Sequence, residues 1–191
     1  MTLTALLSDV RACQHCQGLP RGPWPVIQIA ASARLLIIGQ APGTRVHETG
    51  IPFNDPSGDR LRQWLGLERR GFYDASQVAI MPMGFCYPGK GKSGDLPPRP
   101  ECAPTWHRAL LAAMPQLACI LLVGRYAQDH YLADRRTLTS RVQHFADYGP
   151  RFFPLPHPSP RNQLWLKKHP WFAEQVLPAL QQRLAPLNLQ P

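Results

Sequence analysis

The sequence predicts an α/β protein: one domain over residues 1–191, built on a doubly wound sheet. Three observations carry this. Short apolar runs recur along the chain, as expected of strands buried on both faces. Segments with helical spacing separate them, and alternating strands and helices build a parallel sheet covered on both sides. At 191 residues and 44% hydrophobic content, the chain has the size of one domain with a substantial core.

The elements follow in order. Residues 4–12 place Leu6, Leu7 and Val10 at helical spacing. The run 34–39 (RLLIIG) reads as a buried strand ending in glycine. Ser57-Gly-Asp59 precedes Leu61, Trp64 and Leu65, which predicts an amphipathic helix capped by Ser57 or Asp59. Residues 78–81 form a second strand. The segment 87–100 (YPGKGKSGDLPPRP) is rich in Gly and Pro and reads as a long loop, functional or mobile in a compact domain. A helix is expected over 103–114, a third strand over 119–124, a helix over 125–132 and a fourth strand over 151–155. A terminal helix over 170–184 presents Phe172, Val176, Leu177 and Leu180 on one face, with Pro178 positioned to kink it.

The net charge of +9 suits a polyanionic partner, and the cations recur in loops rather than in one block. Nucleic acid is the partner this balance favours. No run of 18 apolar residues exists, so no membrane span is expected. The N-terminal MTLTALLSDVRACQ lacks a basic region before an apolar stretch, so a secretory signal is not expected and a reducing, cytoplasmic setting is. In that setting Cys13 and Cys16, a C-x2-C pair, read as metal ligands rather than disulfide partners. Cys86 and Cys102 can complete a four-thiolate set suited to zinc or to an iron–sulfur cluster. Cys119, inside the apolar run 117–123, reads as a small buried hydrophobe.

Two loops sit where strands of such a sheet end, the position at which α/β sheets bind ligands. Gly39-Gln-Ala-Pro-Gly43 leaves the first strand in a sharp turn that lets a ligand approach the main chain. His157-Pro-Ser-Pro-Arg-Asn162 follows the last strand, with two prolines stiffening a loop that holds an imidazole, a hydroxyl, a cation and an amide.

This pair of loops resembles the two active-site motifs of the uracil-DNA glycosylase superfamily. Between them, the segment 50–59 (GIPFNDPSGD) resembles that superfamily's G-x-P-F segment, and the four cysteines fall where its iron–sulfur-containing, thermophile-type branch keeps cluster ligands. The resemblance implies a three-layer α/β/α fold with a short, mostly parallel four-stranded sheet, and hydrolysis of the N-glycosidic bond of uracil or another damaged base in single- or double-stranded DNA, by a protein expected to be a monomer. It implies a structural 4Fe–4S cluster on Cys13, Cys16, Cys86 and Cys102, with zinc as the alternative. It implies that His157 stabilises the departing base, that Phe53 stacks on it, and that Gly39, Gln40 and Ala41 cradle it with backbone. Ser159, Arg161 and Asn162 would grip phosphate or press into the duplex.

The chain departs from the family pattern in two places. Ala41 stands where many members have Asp or Asn, and Gln40 where cluster-bearing relatives have Glu, so the first motif carries no water-activating carboxylate. Asp55 is then the expected carboxylate, with His47 and Glu48 as weaker substitutes. The segment 81–86 (MPMGFC) lacks the Asn that reads the base edge in relatives. A divergent nucleic-acid-binding relative without uracil excision is therefore the alternative to an active glycosylase.

Overall fold

A computed structural model of the protein describes residues 2–190. Helix α1 (Leu3–Arg11) is capped by the Thr2 hydroxyl and precedes strand β1 (Leu35–Ile38). Three helices follow: α2 (Thr44–Thr49), α3 (Pro56–Leu65) and α4 (Arg69–Phe72). Strand β2 (Val78–Ile80) leads to a hairpin of β3 (Lys90–Gly91) and β4 (Gly94–Asp95), then to α5 (Cys102–Ala112) and β5 (Cys119–Val123). Helices α6 (Arg125–Tyr131) and α7 (Leu138–Gln143) precede β6 (Phe152–Leu155). Helix α8 (Gln163–Lys168), a π-helical turn (Phe172–Val176) and α9 (Leu177–Leu184) follow.

Four strands pair in the order β2-β1-β5-β6, and every pairing is parallel. Because strand side chains alternate between faces, each central strand feeds two cores. Leu35 and Ile37 of β1, with Leu121 and Val123 of β5, face a core closed by Leu61 and Trp64 of α3, Phe172 of the π turn and Leu180 of α9. Leu36 and Ile38, with Ile120 and Leu122, face a second core closed by Leu6 and Val10 of α1, Leu110 of α5 and Ala127 of α6. Helices therefore cover both faces, and the three-layer α/β/α arrangement follows from alternation in runs as short as LLII. Cys119 is 1% exposed within the first core, and burial pushes its thiol pKa up to about 11.

Three expectations are corrected. Helix α3 starts at Pro56, so its cap is Asp55 rather than Ser57 or Asp59. The Asp55 carboxylate accepts the Gly58 N–H at 2.9 Å, and Pro56 at the first helical position suits the turn. The segment 87–100 is not all loop, since β3 and β4 pair antiparallel with Lys90 opposite Asp95 and Gly91 opposite Gly94. The terminal helix is interrupted by the π turn, which spans Glu174, four residues before Pro178. Proline lacks an N–H and crowds the carbonyl four residues back, and the wider turn accommodates it.

Candidate active site

The loops after β1 and β6 open onto one cleft of about 500 Å³. It holds all nine side chains and backbone positions expected at a substrate site: Gly39, Gln40, Ala41, Phe53, Asp55, His157, Ser159, Arg161 and Asn162. The cleft lies at the carboxyl end of the parallel sheet, as the topology requires.

Phe53 lies against the bare backbone of Gly39. A Cβ on that glycine would stand 3.0 Å from the Phe53 ring. The ring also meets Phe72 edge-on, with centroids 6.4 Å apart. Phe53 adopts φ +54°, a left-handed conformation that costs an aromatic residue roughly 1–3 kcal/mol. Such strain persists only where neighbours impose it. Here α3 does so, because a Cβ on Gly58 would fall 1.7 Å from the Phe53 carbonyl oxygen. The bare Gly58 thus admits the Phe53 backbone, while its N–H holds Asp55.

Asp55 is partly buried at the mouth of α3. One of its oxygens accepts the Gly58 N–H at the N-terminus of the helix. Its charge reaches His157. Burial holds the His157 pKa below the ordinary imidazole value, and the Asp55 carboxylate pulls it back up in part. The Ser159 N–H donates to His157 Nδ1 at 3.2 Å. An Nδ1 that accepts carries no proton, so the neutral ring has its proton on Nε2, leaving that N–H as a donor. The ring packs on Gly124, whose φ of +84° ends β5.

The remaining motif residues hold the loops together. Asn162 donates its amide to the His157 carbonyl at 2.8 Å, and the Ser159 hydroxyl accepts the Arg161 N–H at 3.2 Å. Arg161 donates to the Ser93 carbonyl at 2.6 Å, and Gln40 donates to the Leu96 carbonyl at 3.1 Å. Both motif loops thus grasp the β3–β4 hairpin. Sequence reasoning missed two contributors here. Arg60 on α3 donates to the carbonyls of Pro158 and Ser159 and to Gln163, bracing the second loop. Asp95, on the hairpin, lines the cleft. The signal for Asp95 is an acid inside a Gly/Pro-rich segment that reads as functional or mobile. His47 and Glu48 are outside the cleft lining, and Glu48 pairs with Arg21 at 2.8 Å.

Cys13, Cys16, Cys86 and Cys102 line a second, much smaller cavity, with Phe85, Arg99 and Trp106. Sequence-distant pairs are thereby brought together. Burial, reinforced by the neighbouring thiols, pushes Cys102 up to about 12 and Cys86 to about 11, and Cys16 is raised as well. Mutually destabilised thiolates in a desolvated pocket are the electrostatic setting that a cationic metal group relieves, so the donor chemistry fits one. Among the described residues, no three His, Cys, Asp or Glu side chains stand at separations that would hold a single metal ion.

A family model described as the Uracil DNA glycosylase superfamily matches residues 26–181. That span contains the whole sheet and both cleft loops, and the chain belongs to the uracil DNA glycosylase superfamily. Among the described residues no helix is long and apolar enough to cross a membrane.

Proposed function

We propose that the protein is a DNA glycosylase that hydrolyses the N-glycosidic bond of uracil or another deaminated or damaged base. The observation that carries this reading is the meeting, in one cleft, of an aromatic platform, a carboxylate and an imidazole whose Nδ1 is occupied. Breaking the bond develops positive charge on the sugar and negative charge on the departing base. Asp55 stabilises the sugar cation and orients water, as carboxylates do in sugar hydrolysis. The His157 Nε2–H donates to the base carbonyl as its charge grows, a preorganised dipole in a partly desolvated cleft. Phe53, fixed by Gly39 and Gly58, stacks on the base once it leaves the duplex. Exposed Arg161 supplies charge for phosphate. Leu164 on α8, 70% exposed close to the second loop, is suited to fill the gap left in the stack.

Cys13, Cys16, Cys86 and Cys102 would hold a 4Fe–4S cluster, which suits four thiolates that do not stand close enough to share a single zinc ion. Its role is structural: when bound it links the segment after α1 to the start of α5. No chemical step depends on it. A second reading is a binding protein without excision. Gln40 favours it, since its neutral amide cannot act as a base and is already engaged by Leu96.

The test is a glycosylase assay on single- and double-stranded DNA carrying a panel of modified bases, uracil and hypoxanthine included. Release of a base from any of them supports the enzyme. Salt-sensitive binding with no release from the whole panel establishes the second reading instead.

A further inference from the structure

The β3–β4 hairpin is held from two sides. Gln40, from the loop after β1, donates to the Leu96 carbonyl, and Arg161, from the loop after β6, donates to the Ser93 carbonyl. These two carbonyls flank Asp95. The fit is close on both sides. A Cβ on Gly43 would stand 3.2 Å from Asp95 Oδ2, and a Cβ on Gly94 would stand 2.5 Å from Arg161 Nη1. Gly94 has φ +145°, a conformation that glycine supplies. The hairpin therefore delivers one carboxyl group to the space between the two motif loops.

What that group is free to do follows from the neighbours. Four carboxyl or carboxamide side chains line the cleft among the described residues: Gln40, Asp55, Asp95 and Asn162. Gln40 is engaged by Leu96, Asp55 by Gly58 and Asn162 by the His157 carbonyl. Asp95 alone of the four has no side-chain hydrogen bond. Partial burial raises its pKa, Arg161 opposes the shift, and Asp55 adds to it. Asp95 is exposed in the open cleft, and a base seated against it would displace its water and have to supply a hydrogen bond in return.

Given the glycosylase reading above, we infer that Asp95 separates deaminated bases from their parent amines by accepting a hydrogen bond from a ring N–H of the flipped base. Deaminated bases carry such an N–H beside a carbonyl, as in uracil and hypoxanthine. Their parent amines, cytosine and adenine, present a lone pair at that ring position and meet the Asp95 oxygen with repulsion. A site built around one hydrogen bond to the substrate rejects an analogue lacking the donor, because the acceptor that the base covers is left unpaired. The hairpin thus supplies the base-edge reader that the segment 81–86 does not.

The experiment is single-turnover excision of uracil and of hypoxanthine from single-stranded DNA by the full-length protein and by Asp95→Asn and Asp95→Ala. The Asn carbonyl still accepts from a ring N–H, so Asp95→Asn keeps its rate on the preferred base within a few-fold. Asp95→Ala loses about 10–10²-fold, the scale of one hydrogen bond involving a charged group. Equal losses in both variants would mean that the charge matters rather than the acceptor, and would overturn the inference. So would unchanged rates in both. If the unaltered protein excises neither these bases nor any other in the panel, the glycosylase reading falls and the inference falls with it. That outcome is distinguished by the missing baseline activity.

Discussion

Protonation of His157 should switch the proposed excision off from the acid side only. The Ser159 N–H occupies Nδ1, so a second proton on the ring would set two donors against each other. Burial already disfavours the cation, with Asp55 in partial opposition, and the folded pKa lies below the ordinary 6.5. The sign follows: the neutral, active ring predominates above pH 6.5 and is lost as pH falls through the lowered value. Single-turnover excision on the best substrate should therefore not fall as pH rises from 6.5 to 8, and should decline toward acid pH. His157→Ala should be slower by about 10²–10³-fold at pH 7.5, the scale for removing one preorganised donor at a developing anion. The same variant should lose the acid decline that belongs to this group. A rate that falls steadily from pH 6.5 to 8 would refute the reasoning, because the imidazolium would then be the active form.

Purified without oxygen, the protein should carry iron, and Cys13, Cys16, Cys86 or Cys102 changed to Ala should each lose it while Cys119→Ala does not; metal analysis giving one zinc per chain would replace the cluster with zinc. His107 is buried on α5, bonded to Tyr131 and the Pro82 carbonyl, and desolvation lowers its pKa to about 4. Its share of stability, about 3 kcal/mol at 1.36 kcal/mol per pH unit below 6.5, should be lost as pH falls from 6.5 toward 4, and His107→Gln should lack that slope in denaturant titrations. Gly58→Ala must displace the Phe53 carbonyl, so it should lower excision more than it lowers melting temperature relative to Gly66→Ala, an αL position outside the cleft.

The sheet was legible because its strands are short apolar runs with turn signals at their ends, and a period of two assigns each residue to a face. The cleft was legible because both motif loops fall at strand ends. The cap of α3 was misplaced because Asp55, Ser57 and Asp59 are all good caps, and only Pro56 as a first helical residue decides among them. The left-handed Phe53 could not be read, since no local rule puts an aromatic there and the cause is Gly58 packing on its carbonyl. The hairpin escaped notice because its strands are two residues each, with Lys, Gly and Asp rather than apolar alternation. Asn162 was legible as a site residue, but its bond to His157 belongs to tertiary geometry.

The most direct test of the account is single-turnover excision by Asp55→Asn beside the unaltered protein, with DNA affinity measured on the same oligonucleotide. Asp55 caps α3 through one oxygen, which an Asn carbonyl can replace, so fold and binding should survive. Excision should be slower by about 10²-fold or more, with affinity changed by less than about threefold, as expected for a group acting mainly in the transition state. Equal excision rates for the two proteins would contradict this and remove Asp55 from the chemistry of the cleft.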